Sequence, residues 1–420
     1  MREQINAPKS DFPPKTDVLS FDDTAVAFAS KTNTDLKKAR FLFKVLSYPR
    51  IMTIGKHVTL LALKLRLPIK GLIKKTIFNQ FCGGETISEC ADTTKILDAY
   101  RIGTILDYSV EGKHEEEDFD AATEELLRTI DTAHDNPNIP FCVFKFSGLC
   151  SHHILEKVSA GKTLTESEKK DFEKLHNRVE RICKRAYDTG TPVFVDAEES
   201  WIQNAIDQVA MEMMERYNKD RVSVFNPIQL YRHDRFDYMK SMLEYAKEKG
   251  FIYAVKLVRG AYMEKERARA KERKYPDPIH REKASTDRDF DSAVLFCLDN
   301  LENMAMCSGT HNEASCIKLA KEIEQRDIGK QDKRVYFAQL FGMSDHVSFN
   351  LSKARFNVAK YVPYGPVEEV MPYLIRRAEE NSSVAGQTNR EVSLLNRELR
   401  RRNRDNLQPN SPELPESIQM

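Results

Sequence analysis

Between Pro366 and Val384 the run PVEEVMPYLIRRAEENSSV places Tyr373, Arg376, Arg377 and Glu380 at i, i+3, i+4 and i+7. On a helix that spacing is one face, carrying an aromatic ring, two guanidinium groups and a carboxylate. Pro366 followed by two glutamates suits a first helical turn, so the helix is expected to begin there. Adjacent arginines repel unless an anion meets them. A carboxylate held by charged hydrogen bonds gains about 1.5–3 kcal/mol per bond, enough to select an acid over a plain amine. The plainer reading of the same residues is a solvated basic face with Glu380 as a local partner.

Other residues suggest a site for that face to close. Lys145 lies in the apolar run FCVFKF, and a buried ammonium costs several kcal/mol unless it is paired. Asp196 ends the next apolar run and is expected to face Lys145, either as a structural ion pair or as a catalytic one. In KLVRGAY (256–262) a glycine and an alanine follow an apolar run directly, where a cofactor ring or phosphate could approach the backbone, with cations on either side. No GxGxxG follows an early strand and no Walker sequence occurs, so a bound dinucleotide would not sit on a Rossmann unit. Cys150, His152 and His153 lack a second ligand group at suitable spacing, and no metal site is expected.

The elements that would position these residues are short apolar runs alternating with helical segments: Gly103–Ser109, Phe141–Phe146, Pro192–Asp196, Val222–Phe225, Ile252–Val258, Met304–Ser308, Val335–Leu340 and Val358–Val362. Eight such units predict an α/β fold, a (β/α)8 TIM-type barrel whose site forms at the carboxyl ends of the strands. Polar residues collect at or just past those ends: Asp107 and Tyr108, Lys145, Asp196, Gln229 and Tyr231, Arg259 and Tyr262, Thr310 and His311, Gln339, and Tyr361. Leu155 to Tyr187 reads as an inserted αα element with Thr165 or Ser167 as its cap. The acidic run 111–120 reads as a loop leading into a helix start. The expected division is a loose N-terminus at 1–35, a helical region at 36–100, the barrel at 101–390, and a helix end with a disordered tail at 391–420.

The chain has 420 residues, 41% hydrophobic and 31% charged, with a formal net charge of +1. That supports a large core and gives no global field toward nucleic acid. Eight cysteines without CxxC pairs read as the reduced thiols of an intracellular protein. The first 17 residues look like neither a secretory signal nor a transit peptide. Residues 51–81 alternate apolar residues with lysine and arginine and hold no acid, so they are expected either to lie on an anionic membrane surface or to pack as a helical pair with a solvated basic face.

VDAEES (195–200), KLVRGAYMEKERARA (256–270), SGTHNE (308–313), VYFAQLFGM (335–343) and KYVPYGPVEEVMPYLIRRAEENSSV (360–384) resemble proline dehydrogenase, and within it the animal mitochondrial branch, over roughly residues 100 to 400. The resemblance implies a distorted (β/α)8 barrel, FAD as cofactor and oxidation of L-proline to Δ1-pyrroline-5-carboxylate, with electrons passed to a membrane quinone. It implies a peripheral protein on the inner face of a bacterial cytoplasmic membrane or the matrix side of the mitochondrial inner membrane. By the family pattern Arg376, Arg377 and Lys145 hold the substrate carboxylate, Leu340, Tyr361 and Tyr373 line the pocket, and Asp196 orients the arginines and tyrosine. Asp196 and Lys256 stand at the catalytic centre. Gln229 and Lys256 would meet the isoalloxazine side, and Arg259, Gly260, Ala261, Thr310, His311 and Asn312 the ribityl and phosphate groups. Ala197, Val258, Tyr262, Gln339 and Glu380 complete the cofactor set. Lys256 stands where bacterial bifunctional relatives carry arginine, and Arg259 where they carry lysine. Two alternatives accompany this reading: hydroxyproline dehydrogenase, in which the position of Tyr361 is small, and a Schiff-base aldolase using Lys145.

Overall fold

The structure, a computed structural model, describes residues 19–65, 67–110, 115–383 and 385–407. Six helices come first: α1 (Thr24–Ala27), α2 (Asn33–Leu46), α3 (Pro49–Lys64), α4 (Lys70–Ile73), α5 (Asn79–Phe81) and α6 (Ala91–Ala99), with a π-helical turn at Lys74–Phe78. Strands and helices then alternate through β1 (Ile102–Tyr108), α7 (Glu116–His134), β2 (Phe141–Phe144), α8 (His152–Ser159), α9 (Glu166–Thr189), β3 (Val193–Val195), α10 (Ser200–Tyr217) and β4 (Val224–Gln229). The alternation continues with α11 (Arg235–Lys249), β5 (Tyr253–Val258), α12 (Met263–Arg273), α13 (Lys283–Asp299), β6 (Met304–Gly309) and α14 (Glu313–Gln325). It ends with β7 (Val335–Leu340), α15 (Asp345–Lys353), β8 (Val358–Tyr364), α16 (Met371–Ser383) and α17 (Ala385–Arg404).

The eight strands form a closed parallel barrel in sequence order, sealed where Ile105 of β1 pairs with Tyr361 of β8. Parallel strands covered by helices are buried on both faces, which is why they stand out in the sequence as continuous apolar runs. Inside the barrel Phe141, Phe194, Phe225 and Tyr336, from four different strands, pack ring against ring; Phe141 stacks on Phe194 at 4.5 Å and meets Tyr336 edge-on at 4.7 Å. This aromatic plug fills the barrel below its carboxyl ends, as side-chain layers do in such folds.

A second core lies outside the barrel. Phe28, Leu36 and Phe43 of the N-terminal segment pack with Leu374 and Ala378 of α16 and Leu394 and Leu399 of α17. The expected looseness of residues 1–35 is therefore corrected for 19–35. Thr32 forms a capping box with Asp35, and buried Arg402 of α17 donates to the carbonyls of Phe28 and Lys31. Those partners lie more than 370 residues away in the chain, so local sequence could not show them. The N-terminal helices and the C-terminal pair share one core instead of forming separate regions. Residues 1–18 and 408–420, including the expected disordered tail, and 111–114 of the acidic run lie outside the described residues.

Two boundaries also move. Pro366 to Val370 form a turn, with the Glu369 and Val370 N–H groups donating to the Pro366 carbonyl, and α16 starts at Met371. Glutamates after a proline suit a turn as well as a helix start, and tertiary packing decides between them. The αα element between β2 and β3 is α8 and α9, and Thr165 caps α9 in a capping box with Glu168.

Candidate active site

The carboxyl end of β2 delivers Lys145 between two carboxylates. Its ammonium lies 3.1 Å from Asp107 at the end of β1 and 3.2 Å from Asp196 just past β3. Asp196 also accepts a hydrogen bond from Lys256 of β5, whose ammonium sits 4.5 Å from the centre of the Tyr361 ring. Four residues expected at the site are thus joined through contacts inside the barrel mouth. Burial pushes the Asp196 carboxyl up, but the Lys256 and Lys145 ammonium groups outweigh it and hold the carboxyl below its ordinary value. The sequence reading missed Asp107 as a partner. Its signal was present, because β1 neighbours β2 in a barrel and both strands end in a charge.

On α16, Arg377 is buried and grips Glu380 through both terminal guanidinium nitrogens at 2.6 Å. Its Cζ lies 5.3 Å from the Tyr373 ring. The helical spacing thus brings Tyr373, Arg377 and Glu380 into mutual contact on one face, and Glu380, expected on the cofactor, pairs with Arg377. Asp196, expected to orient the arginines, directs its hydrogen bonds to the two lysines. Arg376 turns toward the barrel and lines a cavity of about 420 Å³ together with Lys145, Tyr262 and Glu198. Glu198 is fully buried, accepts from the Ser147 N–H at 2.9 Å, and is pushed up to about 7 by that burial. Its neighbour Glu199 falls to about 2 because His152 and Lys265 overcome the cost of burial.

The other side of the mouth is a network over β5, β6 and β7. Arg259 donates from Nε to Asp287 at 2.8 Å and through its other nitrogens to Thr310 (2.7 Å) and Ser315 (3.0 Å), and it lies 4.3 Å from the Phe290 ring. The fork expected to take phosphate thus ties the β5 and β6 loops to α13 and α14. Asp287, a helix residue 28 positions downstream, was invisible as its partner. Gly260 has φ +139°, and a Cβ there would strike the Tyr231 ring at 2.4 Å. The close approach for which the glycine was singled out is thus made by Tyr231. Ala261 continues this loop from Val258, and Asn312 caps α14 by accepting from the Ser315 N–H.

Gln339 bridges the Thr310 carbonyl and the Ser348 hydroxyl. His311 Nε2 accepts from the Leu340 N–H at 3.5 Å, which assigns its proton to Nδ1, donating to Ser344 at 2.9 Å. Burial, helped by the nearby Lys360 and Arg377 cations, lowers the His311 pKa to about 3. Lys360, also missed in the sequence, is fully buried and donates to the carbonyls of Leu340 and Met343 while pairing with Asp345 at 2.8 Å. It fixes the loop that carries Leu340.

Buried polar groups at this mouth without a hydrogen-bond partner among the described residues include Gln229 Oε1, Arg377 Nε and the hydroxyls of Tyr231, Tyr361 and Tyr373. Gln229 spends its Nε2 on the Glu198 carbonyl, and Ala197 lies in the same β3 loop. Buried polar atoms are seldom left unpaired, so these groups fit residues that meet a bound molecule. The cysteine–histidine group resolves differently. Cys150 is buried with its thiol pushed up to about 12, and His152 and His153 pair with Glu199 and Glu168.

A family model described as proline dehydrogenase matches residues 90–390, which contain every site residue above. The chain belongs to the proline dehydrogenase family. It is 32% identical to proline dehydrogenase 1, mitochondrial, of Dictyostelium discoideum, over 90% of this chain and 74% of that one. It is 30% identical to hydroxyproline dehydrogenase of Xenopus laevis, over 91% and 90%. Among solved structures, proline utilization A from Bdellovibrio bacteriovorus, inactivated by N-propargylglycine, superimposes with a TM-score of 0.68 at 19% identity, covering 95% of this chain and 41% of that longer one. That likeness carries the barrel fold, and the family match makes this member an oxidoreductase.

Proposed function

We propose that this chain oxidises L-proline to Δ1-pyrroline-5-carboxylate with FAD as cofactor and a membrane quinone as final acceptor, working as a peripheral membrane protein. The observation that carries the substrate reading is that Lys145, from β2, and Arg376, from the helix after β8, line one cavity. Two cations from distant parts of the chain thus border one space, whose lining also includes Glu198 and Glu199 but not Tyr361, Tyr373, Leu340 or Arg377. Arg377, cross-linked to Glu380 through both terminal nitrogens, stiffens that face, and its buried Nε–H, without a partner among the described residues, is the donor left for a carboxylate.

Gln229, Lys256 and the loops carrying Arg259 to Tyr262 and Thr310 to Asn312 are the residues that would hold the flavin, and when bound it supplies two-electron oxidation by accepting a hydride. The chain's own work is to bind, orient and exclude water. Lys145, Arg376 and Arg377 would fix the carboxylate and so aim the carbon beside the ring nitrogen. Tyr361, Tyr373 and Leu340 would pack the ring, and the Asp196 pair keeps Lys145 and Lys256 in place. The Schiff-base alternative needs a neutral amine at Lys145, whereas the lysine is clasped by two carboxylates. Tyr361, buried at the position that is small in hydroxyproline dehydrogenases, favours proline as substrate.

The test is the visible spectrum. A yellow protein whose flavin bleaches anaerobically on addition of L-proline is expected. A colourless protein that cannot be reconstituted with FAD would overturn the proposal.

A further inference from the structure

The outer face of α3 has a composition that water does not explain. Ile54, Val58, Leu61 and Leu65 follow one another at i, i+4, i+7 and i+11, and each is 58–64% exposed. Phe41 on α2 and Leu72 on α4 are likewise exposed, at 71% and 66%. Single exposed apolar side chains are ordinary, but a contiguous stripe at helical spacing marks an interaction surface. The opposite face of α3 is also apolar, since Ala62 is buried and Met52 and Leu63 pack on the second core. A helix apolar on both sides belongs between two apolar media, and the protein supplies one of them.

Charge indicates the other. From Leu36 to Gly84 the chain contains no Asp or Glu and eleven Lys and Arg, within a protein of net charge +1. Within this segment Lys44, Arg50, Lys64 and Lys75 are exposed. A second copy would bring like charge against like, and nucleic acid offers nothing to the aliphatic stripe. A bilayer with anionic headgroups satisfies both features. Sixteen residues make a helix about 24 Å long, so α3 would lie flat in the headgroup boundary. No helix among the described residues is long and apolar enough to cross a membrane.

We infer that the α3 stripe and its lysine rim form the surface that docks on an anionic lipid monolayer. This names the face for the membrane contact proposed above and rests on that reading only for its purpose. α3 packs directly on α16, with Lys56 bonded to Glu379 at 2.7 Å and Lys70 of α4 to Glu368 at 2.8 Å. Docking by this face would therefore set the arginine helix, and the barrel mouth behind it, against the lipid.

The test is flotation of the flavin-loaded full chain with vesicles of phosphatidylcholine alone or mixed with phosphatidylglycerol, in parallel with dye-coupled L-proline oxidation in solution. Wild type should float with the anionic vesicles, more weakly as salt rises. The double variant Val58→Asp/Leu61→Asp should lose about tenfold or more of that binding, and Lys64→Glu/Lys75→Glu should lose the preference for anionic lipid, both with soluble activity unchanged. A wild type that stays with the bulk protein, an aspartate variant that floats as well as wild type, or a lipid-free dimer abolished by the aspartates would overturn the inference. Activity is read separately, so failure of the docking face and failure of the proline reading are distinguishable.

Discussion

At the strand ends, Asp107, Lys145, Asp196 and Lys256 come from β1, β2, β3 and β5 and pair across strands, each held by residues far away in sequence. On α16, Arg377 pairs with Glu380 three residues on, a contact any isolated helix could make. The first network exists only when the barrel is closed. It is therefore coupled to folding, while the helix face is coupled to what binds beneath it. The difference separates a rigid floor that places charge from a helical cover proposed to recognise an anion.

The largest effect should come from breaking the floor. Asp196→Ala strips Lys256 of its hydrogen-bonded carboxylate and should cost about 3–5 kcal/mol in urea unfolding, as removing one partner of a buried pair does. Adding Lys256→Met should restore part of that loss, because no uncompensated charge then remains there. If the single variant is as stable as wild type, the floor is not a structural network. Arg377→Met should do the reverse, raising KM for L-proline by one to two orders of magnitude from the loss of charged hydrogen bonds, while changing stability by about 1 kcal/mol, since Glu380 is a third exposed.

The pH dependence adds a third contrast. Glu198 is raised to about 7, so the folded chain keeps a proton that the unfolded chain releases from about pH 4.5 upward. Stability contributed by this group must then fall as pH rises from about 4.5 to 7 and level off above. Glu198→Gln should flatten that slope and leave the variant about 1–3 kcal/mol more stable at pH 8, measured by urea unfolding across the range. An unchanged slope would remove Glu198 from the account. The smallest effect belongs to Tyr361→Phe. Its hydroxyl has no partner among the described residues, so stability should hold within about 0.5 kcal/mol, and a several-fold rise in KM for L-proline would show that the hydroxyl faces substrate.

The barrel was legible because parallel strands buried on both faces cannot help being continuously apolar, and all eight runs are strands. The face of α16 was legible because helical spacing is a local property. Partners were not. Arg259 announced a cation beside a glycine, but nothing local pointed to Asp287 on α13 or to the Tyr231 ring that fills the space over Gly260. Lys360 sat in a strand next to a predicted pocket residue, yet its targets are loop carbonyls that the fold alone brings to it. Order in residues 19–35 likewise depends on Arg402, from the far end of the chain.

The central claim is that α16 reads a carboxylate over the barrel mouth. Anaerobic flavin reduction should be titrated with L-proline and with pyrrolidine, the same ring without its acid, in wild type and in Arg377→Met. Wild type should favour proline strongly, and the variant should lose one to two orders of magnitude of that preference while its response to pyrrolidine is little changed. A variant that discriminates as well as wild type would contradict the claim.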